Sequence, residues 1–110
     1  MITPEQLGEL LKSGIRPILI DVREPMEFMQ DHIAGARNVP LTALSDVIAD
    51  YDPNDEIVFV CQSGVRSLQA ANFWTSLGYR KAMNLEGGMD AWTAAHQDRA
   101  GQSSREAPRL

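Results

Sequence analysis

Short apolar runs alternate with amphipathic stretches along this chain. Ile18-Leu19-Ile20 and Ile57-Val58-Phe59-Val60 are continuous, rich in β-branched residues and bounded by polar or turn-forming ones. That is the pattern of strands buried on both faces of a parallel sheet. Arg37-Asn38-Val39 and Ala82-Met83-Asn84-Leu85 read as two further strands. Between them the period changes from continuous to helical. Thr3-Pro4-Glu5-Gln6 combines an N-cap, a proline at the first helical position and a capping-box glutamine, so a helix is predicted from about 4 to 13 with Leu7, Leu10 and Leu11 on one face. Pro25 to Asp31 predicts a short helix, and Thr42 to Ala49 another with Leu44, Val47 and Ile48 turned inward. Arg66 to Leu77 predicts a helix stopped by Gly78, and Met89 to Ala95 a last one entered through Gly87-Gly88. Strand and helix alternate, so the fold class is α/β with a mainly parallel sheet.

Composition narrows the function classes. With 110 residues and 44% hydrophobic positions the chain holds one domain with one core, assigned to residues 1–96. From Gln97 to Leu110 little remains to bury, and this stretch is expected to be a disordered polar tail. A formal net charge of -5 without any basic stripe excludes a nucleic-acid partner. Met1-Ile2-Thr3-Pro4-Glu5 does not read as a secretory leader and no apolar run is long enough for a bilayer, so a cytoplasmic protein with no membrane partner is expected. The single cysteine forms no internal disulfide, and His32 and His96 stand apart, so no metal or other cofactor is expected.

The one cysteine is where chemistry is expected. Cys61-Gln62-Ser63-Gly64-Val65-Arg66-Ser67 lies between the central apolar strand and a helix, and ligands of open α/β sheets sit beyond the carboxyl ends of the strands. Loop amides and the first turn of the helix have no intrahelical partner and can converge on an anion. Gly64 permits a positive φ inside the loop. These donors and the Arg66 guanidinium favour thiolate over thiol, lowering the Cys61 pKa from a free value of about 8.5. Ser63 and Ser67 supply hydroxyl donors for an incoming oxyanion, and Arg66 is suited to hold it with two hydrogen bonds. A lone cysteine after an apolar strand is often only a small buried hydrophobe. Glycine, arginine and serine at these offsets have no packing rationale, and they favour the reactive reading.

Three separated stretches carry a resemblance to a known family. Leu19-Ile20-Asp21-Val22-Arg23 with Glu27-Phe28 and His32-Ile33-Ala34-Gly35-Ala36-Arg37-Asn38-Val39-Pro40 is similar to the rhodanese signature DVR…EF…GHIxGAxNxP. The Cys61 to Ser67 segment resembles that family's CxxGxRS loop, and Leu85-Glu86-Gly87-Gly88-Met89-Asp90-Ala91-Trp92 its LxGGxxAW motif. One departure is Asp31, where glycine is usual. The resemblance, to single-domain sulfurtransferases in particular, implies a three-layer α/β/α domain with a five-stranded sheet. It also implies a Cys61 that carries sulfur as a persulfide. Thiosulfate or another sulfane compound is the implied donor and cyanide or a thiol the implied acceptor, with a protein donor or acceptor as a further partner. Gln62, Ser63, Gly64, Val65, Arg66 and Ser67 form the implied binding loop, and Asp21 and Arg23 support it from the neighbouring strand end.

Other conspicuous residues receive structural readings. His32 is expected to be packed or hydrogen-bonded in a turn, because sulfur transfer by a thiolate requires no proton abstraction. Phe73, Trp74 and Leu77 recur at helical spacing and are expected in the core, with Trp92 packing the last helix onto the sheet. Glu24 and Glu27 read as solvated charges, and His96 receives no role. Two alternatives use the same cysteine. A phosphatase or arsenate reductase resembles HCx5R, whereas this chain has Val60 in place of the histidine and a loop one residue shorter. A protein-to-protein sulfur relay needs the same thiolate.

Overall fold

Thr3 starts the first helix by the means its sequence offers. Its Oγ1 accepts from the Gln6 amide at 3.1 Å, and Gln6 Oε1 accepts from the Thr3 amide at 2.9 Å. Helix α1 then runs Pro4–Lys12 with Pro4 at its first turn. The computed structural model describes residues 1–96, so the tail expected over 97–110 lies outside the described residues. After α1 come β1 (Ile18–Asp21), α2 (Pro25–Gln30), β2 (Arg37–Asn38), a 3-10 helix (Leu41–Asp50), β3 (Ile57–Val60), α3 (Val65–Ser76), β4 (Ala82–Asn84) and α4 (Gly88–Ala95).

The strands form one parallel sheet in the order β2-β1-β3-β4. Among the described residues four strands are found, not the five that the resemblance implied. At the β4 edge a fifth position is taken by Ile2 alone, in a parallel bridge to Leu85. The Ile2 amide donates to the Asn84 carbonyl at 3.0 Å, and its carbonyl accepts from the Glu86 amide at 2.8 Å. The chain cannot continue this ladder because Thr3 already caps α1 and Pro4 has no amide proton.

Alternation along the central strands divides the core between the two faces. Ile20, Ile57 and Phe59 join Leu44, Ala70, Ala71, Trp74 and Tyr79, so α3 and the 3-10 helix cover one face. Leu19, Val58 and Val60 join Leu7, Leu85 and Met89, so α1 and α4 cover the other. These are the three layers. Phe59 and Trp74 meet edge-on with ring centroids 5.5 Å apart, an arrangement that adds about 0.5–1.5 kcal/mol beyond the area buried.

Two helical expectations need correction. Leu41–Asp50 is a 3-10 helix, not the α-helix expected from Thr42 to Ala49, although Leu44 is buried and Val47 and Ile48 pack on the core as expected. In α3 the inward face is Ser67, Ala70, Ala71 and Trp74. That i, i+3, i+4, i+7 stripe leaves Phe73 and Leu77 beside it, 39% and 45% exposed instead of in the core. Trp92 is half-buried against the second cluster, as expected. No helix among the described residues is long and apolar enough to cross a membrane.

Candidate active site

The chain leaves β1 toward one side of the sheet and β3 toward the other, which makes the carboxyl ends of these neighbours the switch point of the topology. Asp21 pairs with Val60 in the sheet register, so Asp21 and Arg23 flank Cys61 directly. Cys61 itself is buried. Its Sγ lies 3.1 Å from the Gly64 amide, 3.2 Å from the Ser67 amide and 3.2 Å from the Ser67 hydroxyl. Gly64 brings its amide there at φ +99, the left-handed conformation, as the N-cap of α3.

Burial pushes the Cys61 thiol up. The Ser67 hydroxyl and the amides of Ser67, Gly64 and Ser63 outweigh it, so the net displacement is downward from the ordinary 9.0. Ser67 is buried as well, and its hydroxyl also bonds Asn84 Oδ1 at the end of β4. The Ser67 hydroxyl, expected to meet an incoming oxyanion, is turned inward beside the sulfur. From the sequence Asn84 is only part of a strand. A polar residue among the apolar positions of that strand was the available signal.

A second layer fixes the loop's backbone. Helix α4 begins beneath it, and the amides of Met89 and Asp90 donate to the carbonyls of Cys61 (2.8 Å) and Gln62 (3.0 Å). The Asp90 carboxylate accepts from Gln62 Nε2 at 2.7 Å. From the other side Arg23, fully buried, donates through Nη1 to Gln62 Oε1 at 3.1 Å. Its Nε and Nη2 grip the buried Asp21 carboxylate, with Nη2 at 2.8 Å from Oδ2. Nη2 also donates to the Asp31 carbonyl at 2.7 Å. Asp31 is extended, at φ -166, so this position requires no glycine and the departure from the family pattern leaves the carbonyl in place.

Arg66 sits at the rim, where it meets Glu27 of α2. Nη1 donates to Oε1 at 2.9 Å and Nη2 to Oε2 at 3.1 Å. Glu27 is therefore not the solvated charge expected from the sequence, since this pair closes a gap of 39 positions that no local pattern reveals. Glu24 is exposed, as expected of a solvated charge, and its backbone amide donates to Glu27 Oε1 at 2.9 Å at the N-cap of α2. His32 is exposed, stacks on Phe28 with centroids 3.8 Å apart and bonds the Phe28 carbonyl through Nδ1. His96 bonds the Trp92 carbonyl in the same manner. Ser63 and Val65 are the exposed residues of the loop. Among the described residues no group of three or more His, Cys, Asp and Glu side chains is placed to hold a metal.

A thiolate held by converging donors at a strand end, beside a guanidinium, can attack an electrophilic atom and carry it covalently. Comparison with known proteins gives this chemistry a family context. The family model described as rhodanese-like domain matches residues 3–95. Thiosulfate sulfurtransferase GlpE of Pseudomonas aeruginosa is 33% identical over 95 residues, which span 86% of this chain and 84% of the relative. A human single-domain sulfurtransferase has a similar solved structure, with a TM-score of 0.78 at 34% identity over 86% of this chain and 95% of that one. A rhodanese-like domain protein from Staphylococcus aureus superposes with a TM-score of 0.78 at 31% identity, covering 83% and 88% of the two chains.

Proposed function

The chain belongs to the rhodanese-like domain family, and on that premise we propose that it is a sulfurtransferase that carries sulfane sulfur as a persulfide on Cys61. The donor is thiosulfate or another persulfide, and the acceptor is cyanide or a thiol. The observation that carries this reading is the convergence of the Gly64 and Ser67 amides on Cys61 Sγ. Such donors stabilise the thiolate before reaction and the terminal sulfur anion after it.

The steps balance without a proton. The Cys61 thiolate attacks the outer sulfur of thiosulfate, a new S–S bond forms, the bond to the sulfonate sulfur breaks, and sulfite leaves with that electron pair. An acceptor such as cyanide then attacks the outer sulfur of the persulfide, giving thiocyanate and returning Cys61 as thiolate. This is ping-pong covalent catalysis. Ser63 and Val65 form the exposed part of the loop, so donor and acceptor approach from their side. Gln62, Gly64 and Ser67 act on loop geometry. Asp21 and Arg23 support that geometry from β1, with the guanidinium reaching Gln62.

Intact mass after incubation with thiosulfate tests the reading, with Cys61→Ser as control. A gain of one sulfur atom on the wild type alone, removed by cyanide, is the expected result. Uptake from a protein persulfide but not from thiosulfate would assign the chain to protein-to-protein relay. No uptake from either would sink the sulfurtransferase reading.

A further inference from the structure

Arg66 does not wait for a ligand. Both of its terminal nitrogens already bond the two oxygens of Glu27, and each side chain of the pair is 35% exposed. The carboxylate is itself anchored. Glu27 is the third residue of α2, its Oε1 accepts the Glu24 amide at 2.9 Å in a capping box, and Pro25 sets the start of the helix. Removing the guanidinium would therefore leave the carboxylate where it is. Around the loop the other guanidinium, Arg23, is taken up by Asp21 and lies 3.8 Å from Asp31, and Asp90 adds a carboxylate bonded to Gln62. Among the described residues carboxylates outnumber guanidiniums in this shell, and a Cys61 thiolate would add a further negative charge. Lys81 precedes β4 and bonds Ile57 at the opposite end of the sheet, too far to compensate.

We propose that Glu27 is a specificity-determining residue: it occupies Arg66 as an internal anion, so that a dianionic donor binds only by displacing a fixed carboxylate, and donors of lower negative charge are favoured. This rests on the sulfurtransferase reading and sets the donor class for the same Cys61. For a thiol persulfide the transfer balances as before: the thiolate attacks the outer sulfur, the S–S bond of the donor breaks, and the donor leaves as thiolate. No group in that exchange needs Arg66.

The test separates the two donor classes. Glu27→Gln keeps the capping-box acceptor while removing the charge, and Glu27→Ala removes both. Steady-state kinetics with thiosulfate and with the persulfide of cysteamine, whose ammonium offsets its terminal sulfur anion, should show KM for thiosulfate falling by about threefold to tenfold in Glu27→Gln, the range that a partly exposed two-pronged pair supports. KM for the cysteamine persulfide should stay or rise. Parallel changes with both donors, or an unchanged or higher KM for thiosulfate, would overturn the proposal and leave Glu27 as a brace for Arg66. Calorimetric binding of thiosulfate to Cys61→Ser, with and without Glu27→Gln, reads the same competition without chemistry. Tighter binding in the double variant supports the proposal even if no persulfide ever forms, and equal or weaker binding defeats it.

Discussion

Gly88 lies so close under the loop that a Cβ on it would fall 2.6 Å from the carbonyl oxygen of Gln62. The approach allows α4 to donate its first free amides to the carbonyls of Cys61 and Gln62. Gly88 also sits at φ +60, where an L side chain is strained. Gly88→Ala should therefore cost about 2–4 kcal/mol, strain and overpacking together. It should also slow sulfur uptake, because the loop must move away from α4. Gly35, at φ +88 with open space around it, gives the control. Gly35→Ala should cost only the strain, ~1–2 kcal/mol. Denaturant unfolding of both variants checks this, and equal losses would show that contact with the loop is unimportant.

Ser67 holds the Cys61 sulfur from two atoms, its amide and its hydroxyl. Ser67→Ala removes the hydroxyl and leaves the amide, so the Cys61 pKa should rise. Alkylation rate against pH reads the shift, and an unchanged profile would show that the amides alone set the value. The same displacement governs stability. The folded thiol loses its proton at lower pH than the unfolded one, so between the two values the unfolded chain holds more protons and stability rises with pH. That contribution is complete above the unfolded value and is lost as pH falls through the folded one. In Ser67→Ala the rise should be smaller.

Arg23 and Asp21 are both buried, with Nη2 and Oδ2 2.8 Å apart. Arg23→Ala would leave the Asp21 carboxylate buried and unpaired, a loss of about 3–5 kcal/mol. Arg23→Lys keeps a charge but lacks the fork that binds Asp21, Gln62 and the Asp31 carbonyl together. It should retain more stability than Arg23→Ala and still lower kcat, since Gln62 Oε1 loses its donor. If Arg23→Lys matches the wild type in both, the contact to Gln62 does not position the loop.

The features legible in the sequence were those carried by neighbouring residues. Ile57 to Val60 read as a buried strand because all four positions are apolar, and Thr3 to Gln6 read as a helix start because both halves of the cap lie within one turn. Gly64 read as a positive-φ position and is one. Long-range pairings were invisible. Nothing near Glu27 announces Arg66, and the Gly87-Gly88 pair announces a turn but not the loop above it. The fifth strand failed for a related reason, since the family pattern carries a strand count while the Thr3-Pro4 cap limits the edge to Ile2.

Glu27 gives the most direct check that the rim is built in solution as described. The hydrogen bonds from Arg66, then the Glu24 amide, hold its carboxyl at about 2 against an ordinary 4.5, with burial opposing and the charges of Arg66 and Arg23 assisting. A depressed carboxylate contributes its stability fully above the unfolded value and loses it as pH falls through the folded one. The pair should thus be intact at about pH 5 and weaken only in strong acid, so anion competition at Arg66 is constant across the working range of the enzyme. Side-chain carboxyl NMR should place the Glu27 midpoint near 2. Arg66→Gln should raise it only part of the way, because the Glu24 amide still donates to Oε1. A wild-type midpoint at the ordinary value would mean that the pair is open in solution and that Arg66 is available to an anionic donor after all.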